Sequence, residues 1–515
     1  MVKNLLCLPA DSRPVSWNLP RIAGEMGGYS VQMPPVRWAG GRDVPCDINN
    51  VSKWLLSQLR KGVSAVFVSI DFLVFGGLVF SREPDTSFDN ALKRLNILRR
   101  IKESYPQTPI LAFQTIPRDA VTVRDAESFR LWKAMMEKGE YPKWFTEMRK
   151  RNLEVSDRLI EMAAEGVFHT LIFAKEDVSP VSPFLGELDM LRTKIKKKKL
   201  AKRVFIQTGT DEVLLLLLAR YICEENGTAP RIYIHFSDSE FFQRIPQYEN
   251  VPFRQTLRAQ AAVIGARVVD KSQTCDFEIV PHFAGMKAED IFLSQMRGKT
   301  RFSIDDAAVK RTIKTLKERL RSGAPVALLD CAFLNGADAA LIKRLLAQKL
   351  FFRLFAYSGW NTFANRSGSL LAYSSILNTT LHRHTKPQPV LLRRRLQCLT
   401  EHLLHDCIYS SIVRGRMVKL ADTAGNVLKS GESKNALLLE MRNETAKIMV
   451  SCAGNYMKPV WYAPPVFFSE LDIENAYFPW GRIFEIDLRA SQSLQKFRHS
   501  ANQSTNQGVI IPGYS

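Results

Sequence analysis

The hydrophobic positions of this chain recur as short apolar runs separated by longer amphipathic stretches. Before residue 210 there is room for five or six runs of strand length, the clearest being 5–8, 65–69, 110–113, 171–174 and 204–207. Between them, apolar residues recur every three or four positions, as in Phe88–Lys102, which predicts helices. Near-continuous apolar strands alternating with helices are typical of a parallel sheet covered on both faces. We therefore predict an α/β fold whose N-terminal domain is barrel-like, with an open sheet as the second choice.

A second alternating segment follows, and then the pattern becomes irregular. Its predicted strands lie at 231–235, 266–269, 277–280, 326–329 and 354–357, with the spacing of a Rossmann-like domain. After residue 386 a helical block precedes mixed α+β sequence, in which 477–488 is predicted to be one strand. A chain of 515 residues is too long for one ordinary domain. We predict a β/α domain at 1–225, a Rossmann-like domain at 226–385, a mixed region at 386–490 and a polar tail at 491–515.

Carboxylates follow the predicted strands at the points where the apolar runs stop. The run at 171–174 leads into two adjacent acids, Glu176 and Asp177. The acids after the other runs are Asp11, Asp71, Asp211, Glu212 and Asp330. Because the carboxyl ends of parallel strands lie at one edge of a sheet, where ligands bind, we expect these acids to form one site.

Asp71 and the adjacent pair of Glu176 and Asp177 are the acids that most favour acid/base chemistry. Asp71 has apolar neighbours, so burial would raise its pKa and suit it to be a general acid; the alternative is a buried Asp that caps the next turn. Adjacent acids such as Glu176 and Asp177 occur in glycosidases that use the substrate's acetamido group, where one acid orients that group and the other protonates the leaving oxygen. Asp211 and Glu212 join the catalytic candidates, although acids are also favoured in the first turn of a helix.

A second set of residues is expected to hold the substrate. Arg13 beside Asp11 can bind a carboxylate or a sugar hydroxyl, or the two can form an ion pair that fixes their own loop. Trp360 and Asn361 provide an aromatic platform and an amide, although Trp360 could equally be a core residue. Together with Arg118 and Asp330, these residues are the predicted substrate-binding group, which we expect at a cleft between domains.

Composition excludes several other classes. The net charge of +21 is dispersed apart from a run at 194–203, and no zinc-finger, KH or RRM signature is present, so we expect no specific nucleic-acid binding. The eight cysteines form no CxxC pair, and neither a signal peptide nor a membrane span is predicted, which indicates a cytoplasmic protein. No cofactor is predicted. The alternatives are Mg²⁺ or Ca²⁺ on the acids, and, less favoured, a metal at His402 and His405, which lack a convincing third ligand.

Several segments resemble motifs of an uncharacterised bacterial family, domain-of-unknown-function family 4127, over nearly the whole chain. The opening Pro9–Pro14 is similar to its PLDSRP and Ser69–Arg82 to its SLDMLAYGGLVASR. The other matches are the R-x-R-N at 149–152, GADE at 209–212, NGAD at 335–338, AGWNT at 358–362 and PW-x-R-x-FE at 479–485. The chain departs from the family at Glu176, where an Asp is usual, at Ser182, where a Gly is usual, and at Ser156, where an Asn is usual. The resemblance implies a fold-level identity and no established activity.

These observations favour a hydrolase of a polar small molecule, with a glycoside as the preferred substrate. Asp71, Glu176, Asp177, Asp211 and Glu212 are its candidate acid/base groups. Two alternatives remain open: a non-catalytic ligand-binding or regulatory protein, and a Mg²⁺-dependent enzyme acting on phosphorylated substrates. The oligomeric state is not predicted.

Overall fold

The computed structural model describes residues 2–236, 239–285, 288–383, 389–418, 433–452, 456–457, 466–496 and 507–510. The chain divides into two compact units. The first comprises Met1–Thr228 and Phe242–Gly265, and the second comprises Ala229–Phe241 and Ala266–Ser515. The domain boundaries predicted from the sequence stay predictions.

The first unit is built on a six-stranded parallel sheet with the order β2-β1-β3-β4-β5-β6. Its strands are β1 (Lys3–Leu8), β2 (Tyr29–Gln32), β3 (Ala65–Ser69), β4 (Ile110–Ile116), β5 (Thr170–Lys175) and β6 (Val204–Thr208). The central strands are buried on both faces, as their near-continuous apolar sequences require.

Helices cover both faces of this sheet. The helices of this unit are α1 (Pro14–Met26), α2 (Ile48–Leu59), α3 (Phe88–Ser104), α4 (Ala126–Lys138), α5 (Lys143–Ala164), α6 (Leu185–Lys197), α7 (Val213–Glu225) and α9 (Phe253–Ile264). The short α8 (Glu240–Gln243) spans the point in the sequence at which the chain passes from the second unit back to the first. One face carries a core shared with α2, α3, α5 and α6. Helix α7 packs on strands of the sheet, where Tyr221 makes an edge-to-face contact with Phe67 of β3 at 5.8 Å between ring centroids.

The α/β class is confirmed, and the first sheet is open. Strand pairing ends at β2 on one edge and β6 on the other, with no ladder joining them among the described residues. The barrel-like closure that we preferred is therefore not seen, and the second choice describes the sheet. The reason is the strand order: β2 lies on one side of β1, while β3 and the later strands extend on the other. That reversal makes a switch point between β1 and β3, where open α/β sheets bind ligands.

The second unit contains a five-stranded parallel sheet with the order β13-β11-β9-β7-β8. These strands are β7 (Arg231–Ile234), β8 (Arg267–Val269), β9 (Phe277–His282), β11 (Val326–Asp330) and β13 (Tyr357–Ser358), and β10 (Glu289–Asp290) pairs separately with β12 (Phe333–Leu334). Its helices are α10 (Ile291–Met296), α11 (Asp306–Arg321), α12 (Ala339–Ala347), α13 (Phe363–Arg383), α14 (Pro389–His402), a π-helix (Leu403–Val413), α15 (Arg414–Met417) and α16 (Ser433–Cys452).

An antiparallel sheet follows toward the C-terminus. It consists of β14 (Tyr456–Met457), β15 (Val466–Tyr477), β16 (Asp487–Lys496) and β17 (Gln507–Ile510). The single strand predicted at 477–488 is wrong: β15 ends at Tyr477, and a connection containing Pro479 and Gly481 leads into β16. Pro479 lacks a backbone donor and Gly481 has a φ of +66°, so both favour a turn there.

Candidate functional site

The first loop after β1 fixes Arg13 between two carboxylates. The Arg13 guanidinium donates to Asp11 Oδ2 at 2.8 Å through Nε and to Asp211 Oδ1 at 2.7 Å through Nη2. Burial raises the pKa of Asp211, and the neighbouring Arg13 opposes that rise. The Asp11–Arg13 ion pair considered from the sequence is therefore present, and it extends to the loop after β6.

Arg82 forms a second ion pair, with Glu176, at the carboxyl edge of the sheet. The segment that follows β3 brings Arg82 to this position. β3 runs into a π-turn (Asp71–Phe75), then into Gly76 and Gly77 with φ of +95° and +134°, and then into a 3-10 turn that ends at Arg82. These φ values are ones that glycine adopts without strain. The Arg82 guanidinium donates through Nη2 to Glu176 Oε1 and through Nη1 to Thr122 Oγ1 at 3.1 Å.

Asp177 is the exposed acid of this edge. Its side chain is 42% exposed, and Arg118 Nη1 lies 3.8 Å from Asp177 Oδ2. The density of surrounding protein and the adjacent Glu176 carboxylate raise the pKa of Asp177, while Arg118 and Arg82 oppose the rise. Because so much of the side chain meets solvent, water screens part of this effect. The backbone of Asp177 has a φ of +21°, an uncommon value for a residue other than glycine.

These pairs form one charged group. Arg82 lies within electrostatic reach of Arg13, Arg118, Glu176 and Asp177, and Asp211 is influenced by both Asp11 and Glu176. We call this group the rim cluster: Asp11, Arg13, Arg82, Arg118, Glu176, Asp177 and Asp211. It brings together the ends of β1, β5 and β6 with the loops after β3 and β4, at the carboxyl edge where the strand order predicts a site.

Asp71 lies beneath this edge rather than on it. Its side chain is 0% exposed, and Oδ2 accepts a hydrogen bond from the Thr115 backbone N at 2.8 Å. Oδ1 has no hydrogen-bond partner among the described residues. Burial raises the pKa of Asp71 to about 6, partly opposed by the hydrogen bonds from Thr115. The hydrogen bond to Oδ2 thus comes from the neighbouring strand β4, and the Ser81 hydroxyl of the following 3-10 turn also lowers the pKa of Asp71.

Glu212 lies away from the rim cluster. It is fully buried, and its Oε1 accepts hydrogen bonds from Gln260 Nε2 at 3.2 Å and Gln207 Nε2 at 3.4 Å. Although it precedes α7, its side chain makes no capping hydrogen bond. Gly209 leaves space for it, since a Cβ there would lie 2.0 Å from Glu212 Oε1.

The R-x-R-N motif on α5 holds the loops that carry the rim arginines. Arg149 Nη1 donates to the carbonyl oxygens of Pro117 and Arg118, both at 2.9 Å. Arg151 Nη2 and Asn152 Nδ2 both donate to the Ser81 carbonyl, at 2.9 and 2.8 Å. These residues and Arg82 were absent from the predicted site. The only sequence signal for them was their place in motifs that resemble the family.

The remaining predicted residues belong to the second unit. Asp330 is fully buried, and its Oδ2 accepts hydrogen bonds from the Asp338 backbone N at 2.8 Å and the Tyr357 hydroxyl at 3.3 Å. Trp360 is 6% exposed and makes edge contacts with His405 and Phe484, the core arrangement considered as its alternative.

Asn361 is half-buried, and its backbone carbonyl links two neighbouring segments of the second unit. The Asn361 carbonyl accepts hydrogen bonds from the Asn335 backbone N at 3.0 Å and from Arg366 Nη2 at 2.6 Å. Its φ of +64° places it in the left-handed region that Asn tolerates.

The two histidines considered as metal ligands have protein partners in the second unit. His402 Nδ1 lies 2.8 Å from Asp406 Oδ2, and His405 Nε2 lies 2.7 Å from the Ile486 carbonyl. Across the described ranges, no three His, Cys, Asp or Glu side chains are grouped closely enough to hold a metal ion. In the same ranges, no helix is both long and apolar enough to cross a membrane.

The fold and the rim cluster define an α/β protein with a charged site at the switch point of an open parallel sheet. The family model described as "Protein of unknown function (DUF4127)" matches residues 5–139 and 139–489. The chain belongs to this family, which confirms the resemblance inferred from its motifs. A comparison with curated proteins finds no match.

Proposed function

We propose that this protein is a hydrolase of a polar small molecule and that its substrate is a glycoside. One observation carries the proposal: Asp177, an exposed acid with a raised pKa, directly follows Glu176, an acid held by Arg82. Glycoside hydrolysis requires two carboxyl groups in environments that give them different protonation states. The rim cluster supplies two adjacent carboxyl groups, one paired with Arg82 and one exposed, at the edge of the sheet where a ligand is expected.

Asp177 is assigned the role of general acid. Solvent reaches its side chain, so a leaving-group oxygen can reach it as well, and the raised pKa keeps a larger fraction protonated near neutral pH. Glu176 is assigned to the reacting centre beside it. Arg82 donates a hydrogen bond to Glu176 Oε1. Glu176 Oε2 is buried and has no hydrogen-bond partner among the described residues, so this oxygen can accept a hydrogen bond from the substrate or from water.

Arg118 is assigned to substrate positioning. Its side chain is one-quarter exposed, and Nε and Nη2 donate to the carbonyls of Ala120 and Val121, both at 3.2 Å. The guanidinium is thus fixed within its own loop while Nη1 faces the Asp177 carboxyl group. A group fixed in this way can orient a hydroxyl without the entropic cost of ordering a flexible side chain. Asp71 and Glu212, both fully buried, support the site without touching substrate.

A second candidate substrate class is a phosphorylated small molecule. The specific observation in its favour is that three guanidinium groups, those of Arg13, Arg82 and Arg118, belong to the rim cluster. Arginine forks match phosphate oxygens bidentately. In this structure the guanidinium groups of Arg13 and Arg82 already pair with carboxylates, so we rank this class below the glycoside.

The test is a turnover assay on a panel of aryl glycosides, including acetamido sugars, with aryl phosphates in parallel. We expect wild type to hydrolyse at least one glycoside and Asp177→Asn to lower its kcat by about 10²-fold or more. The thermal midpoint should change little because Asp177 is exposed. Asp189→Asn is the matched control, since that acid is exposed on α6 and lies outside the rim cluster.

Turnover of glycosides that Asp177→Asn leaves intact would refute the assigned acid. Turnover of aryl phosphates alone would replace the glycoside with the second substrate class. If none of these substrates turns over, the hydrolase proposal fails for the classes tested.

A further inference from the structure

A separate cavity in the first unit is lined by strands β5 and β6 and helices α6 and α9. Its volume is about 40 Å³. Its lining includes Lys175 and Gln207, which are buried, and Arg192 and Gln255, which are exposed. The cavity therefore runs from an exposed mouth to a buried polar floor. We call it the Lys175 cavity.

Lys175 is an unusual residue to find at such a floor. It is 4% exposed, and its Nζ has no hydrogen-bond partner among the residues that the structure describes. Burying an ammonium group without a partner is costly. Burial lowers the pKa of Lys175 to about 8; the carboxylates of Asp119 and Glu187 oppose this effect, and the positive charges of Arg149 and Arg192 add to it. Since none of these groups is a hydrogen-bond partner of Lys175 Nζ, the ammonium group can pair with an added anion.

Gln207 also lines the cavity, but its side chain does not lie beside that of Lys175. In the pairing of β5 with β6, Gln207 lies opposite Ala174 and Lys175 lies opposite Thr208, so the Gln207 and Lys175 side chains leave opposite faces of the sheet. The unpartnered Lys175 Nζ therefore defines the polarity of a ligand by itself.

We propose that the Lys175 cavity binds a small carboxylate anion whose charged group pairs with the Lys175 ammonium group. The volume supports this class, because about 10–15 Å³ holds one water-sized group, so the cavity has room for about three non-hydrogen atoms. A carboxylate has three and a phosphate has five. Arg192 at the mouth pairs with Asp189 at 2.8 Å, so it adds little net charge to the entry path. This site is distinct from the rim cluster and does not depend on the proposed hydrolase activity.

The experiment measures thermal unfolding of the full chain with increasing formate and acetate, each compared with chloride at equal ionic strength. At about five times the dissociation constant, a ligand specific for the folded state should raise the midpoint by about 1–2 °C. We expect this rise in wild type and in Lys196→Met, and its loss in Lys175→Met. Lys196 is an exposed lysine of α6, so its substitution changes the net charge equally.

A second measurement uses the unmodified protein, in case Lys175→Met does not fold. Reductive methylation of lysines, read by peptide mass spectrometry, should label Lys175 more slowly in acetate than in chloride, with the labelling of Lys196 unchanged. Equal midpoints in carboxylate and chloride would overturn the proposal. So would a carboxylate-dependent rise that Lys175→Met retains, or labelling of Lys175 that carboxylates do not slow.

Discussion

Replacing Asp71 by Asn should change how the stability of the protein depends on pH. The Asp71 carboxyl group is completely buried, and one oxygen accepts a hydrogen bond from the Thr115 amide. Asparagine has nearly the same shape and keeps a carbonyl oxygen for that bond, but it cannot ionise. The variant therefore removes one buried titration and little else.

The size of the effect follows from the pKa of Asp71. Burial raises it from 3.8 to about 6. Between these values the folded protein holds a proton that the unfolded chain has released, so the contribution of Asp71 to stability falls as the pH rises. At about 1.36 kcal/mol for each unit of pKa, the total loss is about 3 kcal/mol, complete once the pH is well above 6. Asp71→Asn should not show this loss.

The assay is urea unfolding of wild type and Asp71→Asn at intervals from pH 4 to pH 8. The free energy of unfolding of the variant minus that of wild type should rise by about 2.4 kcal/mol across this range, because about 0.6 kcal/mol of the total is already lost at pH 4. A constant offset, set by the hydrogen bonds of the new amide NH₂ group, does not alter the rise. Asp189→Asn, at an exposed acid, should show no comparable rise. A difference for Asp71→Asn that stays flat from pH 4 to pH 8 would refute the assignment of a raised pKa to this buried group.

Two further substitutions test the ion pair between Arg13 and Asp211 and the packing of Gly209 against Glu212. Arg13→Met should destabilise the protein by about 3–5 kcal/mol at neutral pH, because it removes the guanidinium group that pairs with the buried carboxylates of Asp11 and Asp211; adding Asp211→Asn should recover part of this loss in urea unfolding. No recovery would mean that Asp211 does not depend on Arg13. Gly209→Ala should cost more than about 1 kcal/mol, since φ is +97° and the new Cβ would collide with Glu212. Gly227→Ala, at φ of +63° with open space around it, is the matched control, and an equal loss of stability in both variants would show that the contact with Glu212 is unimportant.

The strands and helices of the first unit were predictable because a strand buried on both faces requires consecutive apolar residues, and these runs are visible in the sequence. Strand β3, predicted at 65–69, is buried at each of its five residues. The predicted interruption at 139–142 separates α4 from α5, with Gly139 at a φ of +70° and Pro142 capping the next helix. These are local effects of apolar runs, glycine and proline, so a single sequence contains them.

Strand order was not predictable in the same way. An open sheet and a barrel share the same alternation of strands and helices, and they differ in whether the chain reverses direction across the sheet. That choice depends on which side of β1 each connection leads to. It is a long-range property that hydrophobic periodicity does not record. The consequence for function is specific, because the reversal moves the expected ligand site to the ends of β1 and β3.

The partners of the predicted acids were also beyond local sequence. Arg82 lies 13 residues after the end of β3, and it reaches Glu176 only because a π-turn, two glycines with positive φ and the clamp from Arg151 bring its loop back over the sheet. Hydrophobic periodicity does not indicate that a loop folds back over the sheet in this way. The one available indication was that Ser81 and Arg82 close the segment that most resembles the family motif.

Arginine pairing changes what the acids can do. Acids without cationic partners would favour a divalent metal, whereas acids paired with guanidinium groups are already neutralised. The acids that pair with Arg13 and Arg82 are also the less exposed ones: the side chains of Asp11, Asp211 and Glu176 are only 6%, 9% and 13% exposed. Asp177, 42% exposed and 3.8 Å from its nearest cation, is the rim acid that a substrate can reach without breaking an ion pair at hydrogen-bonding distance. For that reason Asp177→Asn, rather than a change at Asp71 or Asp211, is the substitution that separates catalysis from support of the fold.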